Sequence, residues 1–164
     1  MSDSIPDGFE PFPDGEGFVN HVGPLYWAVR DGRGWLGFRV GKHHVNPAGI
    51  CHGGMMMTVM DMVIGFNVQL NLDRPVFVPS VQCTYDFLRP GRLGDWLEGS
   101  TDFVHLTRRT GFANGYLLGP EGPVVRCNGI AKLPSAANTQ FRHTSRIMQT
   151  AIARMREQQA GGGS

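Results

Sequence analysis

The sequence predicts an α+β fold in which one antiparallel sheet packs on one long central helix. Three stretches carry that prediction. Residues 53–70 form an apolar run opened by a glycine pair. Residues 80–87 alternate polar and apolar side chains with the period of a strand. Residues 93–133 hold three β-prone runs joined by short turns, the pattern of a meander.

With 164 residues the chain is long enough for one domain with a real core. Residues 1–20 contain five acids, three prolines and three glycines but no Lys or Arg, which disfavours regular structure. They read as a flexible acidic arm on which Phe9, Phe12 and Phe18 could dock, with a lid over a site as the alternative. Residues 21–133 make the domain, and residues 134–164 form a C-terminal extension.

Within the domain, Leu25–Val29 and Trp35–Val40 flank Asp31-Gly32-Arg33-Gly34 and read as a hairpin. Leu36, Phe38 and Val40 share one face. Asn46-Pro47 and Ala48-Gly49 supply turn chemistry ahead of the helix. That helix should run from about Gly53 to Leu70 and stop before Pro75, which cannot continue it. It is apolar on every side, so it is expected to be buried all round, covered by the sheet with help from a second chain or from the curl of the sheet itself.

A strand follows over Val76–Phe87, then a turn at Arg89-Pro90-Gly91. Leu93–Leu106 gives a long strand, twisted or bulged near Gly99. After the basic turn Arg108-Arg109-Thr110-Gly111 come strands Phe112–Leu118 and Val124–Leu133. In the extension Phe141, Met148, Ile152 and Met155 recur at helical spacing among arginines, which predicts a short amphipathic helix capping the domain or an oligomer contact.

The bulk numbers exclude several classes. A net charge of +1 gives no footprint for a general nucleic-acid binder. Cys51, Cys83 and Cys127 are odd in number and widely spaced, which argues against a disulfide framework or a structural zinc site. A reducing compartment fits them. The N-terminus has neither a basic nor an apolar leader region. The central helix is too short and too interrupted by Asp61 to span a membrane. The expectation is a cytoplasmic protein with no membrane or nucleic-acid partner.

The chemistry centres on Asp61. A carboxylate inside an apolar helix is costly unless it is paired, hydrogen-bonded or facing a cleft. In a cleft it could orient or deprotonate water, or attack an electrophile itself. The helix start offers free N–H groups and the positive dipole end, and Gly53 and Gly54 let a ligand oxygen approach the backbone. The same glycines could simply permit tight packing. Asn46 suits an ordinary turn residue, and His52 suits a helix cap better than a proton carrier. His43-His44 would point to opposite faces of an extended segment, a poor metal pair. Met55, Met56, Met57 and Met60 could line an adaptable pocket or be core.

The motif N-P-x-G-x-x-H-G-G, with Asp seven residues after the second Gly, resembles the hotdog-fold acyl-CoA thioesterases. The likeness is to their phenylacetate-pathway and thioesterase-superfamily-member-2 branch, and it covers roughly His21 to Leu133. It implies a hotdog fold, an antiparallel sheet wrapped around the helix, and a homodimer with sheets joined edge to edge, or a tetramer of two such dimers. It also implies hydrolysis of an acyl-CoA thioester to free acid and CoA without a metal or redox cofactor, CoA being part of the substrate. On this resemblance Asp61 is the general base or nucleophile, and the Gly53 N–H polarises the thioester carbonyl. Asn46 helps to bind the carbonyl or the water, His52 orients Asn46, and Ser80 holds the water. Asp61 and Ser80 would come from one subunit, Asn46 and Gly53 from the other. Gly54 would lie against substrate, and Arg89, Arg108 and Arg109 would meet the CoA phosphates unless they are merely a solvated basic surface. The rivals are a hydratase or dehydratase on the same fold, and a non-catalytic acyl-CoA-binding module.

Overall fold

In a computed structural model of the chain, residues 4–12, 17–72, 76–135, 149–154 and 157 are described. The element order is β1 (Glu10–Pro11), α1 (Phe18–Val22), β2 (Tyr26–Arg30), β3 (Arg33–Arg39), a 3-10 turn (Lys42–His44), α2 (Gly53–Leu70), β4 (Ser80–Phe87), β5 (Trp96–Leu106), β6 (Thr110–Gly119) and β7 (Gly122–Lys132). The seven strands form one antiparallel sheet in the order β1-β2-β3-β5-β6-β7-β4.

The hairpin forms as expected but with a tighter turn. Asp31 and Gly32 both take positive φ, at 51° and 68°, and Arg30 pairs with Arg33. Two left-handed residues match the twist of the flanking strands, so Arg33 and Gly34 already belong to β3. Strands β5, β6 and β7 make the meander. The irregularity in β5 lies between Thr101 and Phe103 rather than at Gly99. The strand expected from Val76 begins only at Ser80. Val76 and Val78 are buried ahead of it, outside any strand.

β4 precedes β5 in sequence yet pairs with β7, on the far side of the meander. It is therefore an edge. Val81, Phe87 and Leu88 are 66%, 52% and 49% exposed there, a large apolar display for an unpaired strand edge.

α2 spans the expected residues and packs on β3, β5, β6 and β7. Val59, Met60, Val63, Ile64 and Val68 are fully buried against the sheet. Glycines on the inner sheet face let it sit close: a Cβ at Gly129 would lie 2.5 Å from Ile64. The helix is not buried all round, however. Gly54, Met57 and Asp61 are exposed and Thr58 and Met62 half-buried, a stripe at helical spacing along its first turns. The sheet covers one side of a cylinder, and nothing among the described residues covers this one. Only residues 63–70 are enclosed on every side.

The acidic arm is partly built into the sheet. Glu10 and Pro11 pair with Trp27 and Tyr26, and the buried Phe9 ring stacks edge-on against Trp96 at 5.1 Å. Phe12 is half-buried and Phe18 is 63% exposed. Residues 149–154 are helical, with Ala151 buried and Ile152 against the core. Arg154 reaches Glu10 at 2.7 Å, which ties this stretch to the arm. Phe141, Met148 and Met155 lie outside the described residues. Among the described residues no helix is long and apolar enough to cross a membrane.

Candidate active site

The loop into α2 is organised by Asn46. Its Oδ1 accepts the Ala48 N–H at 2.9 Å and the Ile50 N–H at 3.4 Å, while its backbone N–H donates to the Ile50 carbonyl. This side chain holds its own turn, helped by Gly49 at φ 75°. With Oδ1 engaged, the amide Nδ2 is the end that could serve a substrate carbonyl.

His52 is the N-cap of α2: its Nδ1 accepts the Gly54 N–H at 2.9 Å. That leaves Nε2 as the protonated nitrogen in the neutral ring. The cap satisfies one of the free donors of the first turn and leaves the Gly53 N–H available. The backbone at Gly53 is crowded by the Phe87 ring, whose nearest atom would be 3.1 Å from an added Cβ.

Asp61 lies two turns further on, in the open stripe. The Ser80 hydroxyl donates to its Oδ1 at 2.6 Å, and the Cys83 thiol approaches the same oxygen at 3.7 Å. Plain alternation would set Ser80 and Cys83 on opposite faces. A bulge resolves this: Ser80 pairs with Ala131 and Gln82 with Ile130, so Val81 is extra and both side chains turn toward α2. Sequence reasoning placed Ser80 on the polar face and missed Cys83 as a neighbour of Asp61. A bulge is set by the ladder across the strands, and the alternation of β4 alone does not reveal it.

One chain does not bring all these groups together. Asn46 and Gly53 open onto a cavity of about 460 Å³ with Phe87 and Arg89. Asp61 and Gly54 line a separate one of about 370 Å³ with Phe18, Met57 and Tyr85. His52 faces a third, of about 380 Å³, with His21, His43 and His44. His43 and His44 are not on opposite faces, because they sit in a 3-10 turn with ring centroids 3.8 Å apart. Each Nε2 bonds a carbonyl, Gly23 for His43 and Val22 for His44, so both rings clamp the end of α1.

Arg89 lines the Asn46 cavity and donates to the Pro123 carbonyl at 3.0 Å. Arg108 and Arg109 occupy the β5–β6 turn, next to Gly111, which packs on Val68. Val68 is fifteen residues beyond Gly53, a distance of roughly 20 Å along the helix. The two arginines are therefore remote from the helix start of their own chain.

The titrating thiols differ by surroundings. Burial pushes Cys51 up to about 11. Cys83 is held down to about 7, first by a hydrogen bond with Cys127 and then by one with Tyr85, against its burial and the Asp61 charge.

The family described as the thioesterase superfamily matches residues 48–116, which takes in the helix start, Asp61 and Ser80 but not Asn46. A Pseudomonas aeruginosa protein named "Putative esterase PA0474" is 29% identical over 80% of this chain and 98% of its own length. Among solved structures, the E. coli PaaI protein from the phenylacetic acid degradation operon has 21% identity. It superposes with a TM-score of 0.61, covering 71% of this chain and 83% of its own. A Streptococcus pneumoniae thioesterase protein solved with coenzyme A has 25% identity and a TM-score of 0.58, covering 68% of this chain and 86% of its own. These likenesses share the sheet laid over a single helix, and the family match runs through that helix and the strands that flank it. Residues 48–116 thus match the thioesterase superfamily, and the chain has the hotdog fold that the solved structures share.

Proposed function

We propose that the chain hydrolyses acyl-CoA thioesters at sites completed by two copies of itself. The observation that carries this reading is a division within one chain. Asp61, with Ser80 on its carboxylate, opens into one cavity, and Asn46 with the Gly53 N–H opens into another. Pairing two copies along the exposed edge of β4 would set the Asp61 half of one against the Asn46 half of the other. The apolar display at Val81, Phe87 and Leu88 supports that edge as the contact. The uncovered stripe of α2 supports it too.

In this reading the thioester carbonyl points at the start of α2. The Gly53 N–H and the Asn46 amide donate to its oxygen, aided by the helix dipole, and stabilise the charge that develops there. Asp61 takes a proton from water, or attacks directly, with Ser80 fixing the carboxylate and steering the water. The thiolate of CoA leaves and takes up a proton, and the free acid is released. Where Asp61 attacks directly, water first cleaves the mixed anhydride formed on it. His52 supports the site from behind, since its bond to Gly54 fixes the first turn. Coenzyme A in the Streptococcus pneumoniae structure supports a CoA thioester as substrate. Arg89, beside the Asn46 cavity, is suited to a phosphate of that CoA. Arg108 and Arg109 could reach CoA only at a site whose helix start belongs to another copy.

A hydratase would need His52 and Asp61 to converge on one substrate. Nδ1 of His52 is instead engaged by the Gly54 N–H, as the cap of α2. The experiment is CoA release over a panel of acyl-CoAs, with Asp61→Ala beside the unaltered chain. Release that disappears in Asp61→Ala is expected. Turnover of the same panel by Asp61→Ala would defeat the reading, and loss of an enoyl double bond without CoA release would replace hydrolysis by hydration.

A further inference from the structure

We infer that Cys83 is a positioning residue for Asp61. Its thiol acts with the Ser80 hydroxyl to pin one carboxylate oxygen, so that the other stays free for the reaction. This rests on the proposed role of Asp61 in thioester hydrolysis.

Both donors converge on Oδ1, at 2.6 Å from Ser80 and 3.7 Å from Cys83. Two donors from one strand to one oxygen hold the plane of a carboxylate better than one. A group held in orientation before reaction needs less reorganisation during it. The Val81 bulge makes the convergence possible, because residues 80 and 83 would otherwise face apart.

The slot that holds the thiol is built from β7. Cys83 sits opposite Gly129, and a Cβ there would lie 3.3 Å from the Cys83 sulfur. A larger residue at 129 would press the thiol out of its place. The titratable groups around Cys83 are Asp61 on α2, Cys127 on β7 and Tyr85 on its own strand. The hydrogen bond between Cys83 and Cys127 lowers Cys83 and raises Cys127.

A consequence follows for pH. Below about 7 the Cys83 thiol keeps its proton and can donate to Asp61. Above that value a thiolate replaces the donor and sets a second negative charge beside the carboxylate. Turnover should therefore fall as this thiol ionises with rising pH.

The test uses Cys83→Ala and Cys83→Ser in the full chain, with CoA release followed from pH 5.5 to 9 at about one-unit steps or finer. Cys83→Val is a second donor-free variant that fills more of the slot. Removing a weak donor to a charged acceptor should lower kcat about 10-fold and leave KM within about 2-fold. Cys83→Ser keeps a hydroxyl donor and should recover most of the rate. All three variants lack an ionisable thiol at 83 and should lack that falling limb. If Cys83→Ala and Cys83→Val keep wild-type kcat and the same limb while Asp61→Ala is inactive, the role of Cys83 is overturned and the site reading stands. If Asp61→Ala keeps turnover, both fall.

Discussion

Asn67 closes both ends of its amide on the backbone of Gly34. Its Oδ1 accepts the Gly34 N–H at 2.9 Å and its Nδ2 donates to the Gly34 carbonyl at 2.9 Å. Nδ2 also reaches the Val63 carbonyl, and the Ser100 hydroxyl donates to the same Gly34 oxygen. Asn67 is 1% exposed, so the last turns of α2 are fastened to β3 inside the core. Asn67→Leu should fill similar space but strand the Gly34 N–H. A loss of about 1–3 kcal/mol is expected, read as a lower midpoint in urea unfolding. Turnover per folded molecule should stay near wild type, because Asn67 is far down the helix from Asp61.

Ser80→Ala removes the shorter of the two bonds to Asp61 Oδ1. Hydrogen bonds to charged groups are worth about 1.5–3 kcal/mol, so kcat should fall by about 10- to 100-fold. Ser80→Thr keeps the hydroxyl on a β-branched side chain suited to a strand, and should retain much more activity than Ser80→Ala. Equal losses in the two variants would mean that the backbone at the bulge, not the hydroxyl, is what matters.

These two residues mark where the sequence was legible and where it was not. The limits of α2 could be read because a glycine pair opens a mostly apolar run and Pro75 lies just beyond its end. The hairpin could be read because Asp31-Gly32 accepts two positive φ values. Asn67 looked like one polar residue in that run, and its partner lies 33 residues earlier on β3. The place of β4 beyond β7, and the bulge at Val81, are properties of pairing between distant strands. The open stripe from Gly54 to Met62 was hidden for another reason: Met57 and Met62 are apolar, so composition did not separate a face awaiting a cover from a core face.

A site divided between two copies makes a distinctive prediction. Asp61→Ala and Asn46→Ala chains should each be nearly inactive alone. Mixed and allowed to exchange subunits, they should form hybrid dimers in which one site receives Asp61 and Asn46 from the two intact halves. Random pairing restores about a quarter of the wild-type sites. The measurement is CoA release before and after exchange under mild denaturant. Activity that stays at the level of the separate variants, with hybrid dimers shown by mass, would put each site within one chain. Val81→Lys, a charge on the edge of β4, should weaken the dimer and lower turnover in the same concentration range.

His44 links stability to pH. Its Nδ1 accepts the Gly41 N–H and its Nε2 bonds the Val22 carbonyl, both at 2.9 Å, while its ring packs edge-on to Phe38 at 5.2 Å. Those bonds require the neutral ring protonated on Nε2, since a proton on Nδ1 would face the Gly41 N–H. Burial, the largest cause, holds His44 below its ordinary 6.5, so the unfolded chain binds this proton more readily than the folded one. Stability should therefore be full above about pH 6.5 and decline as pH falls below it toward the folded-state value. His44→Gln keeps a side-chain amide at the site and has nothing to titrate. Melting temperatures from pH 7.5 down to pH 5 should fall less steeply in His44→Gln than in the unaltered chain. Parallel curves for the two would assign the acid sensitivity to other groups. A steeper loss in the unaltered chain would place it at the clamp that holds α1 beside the start of α2.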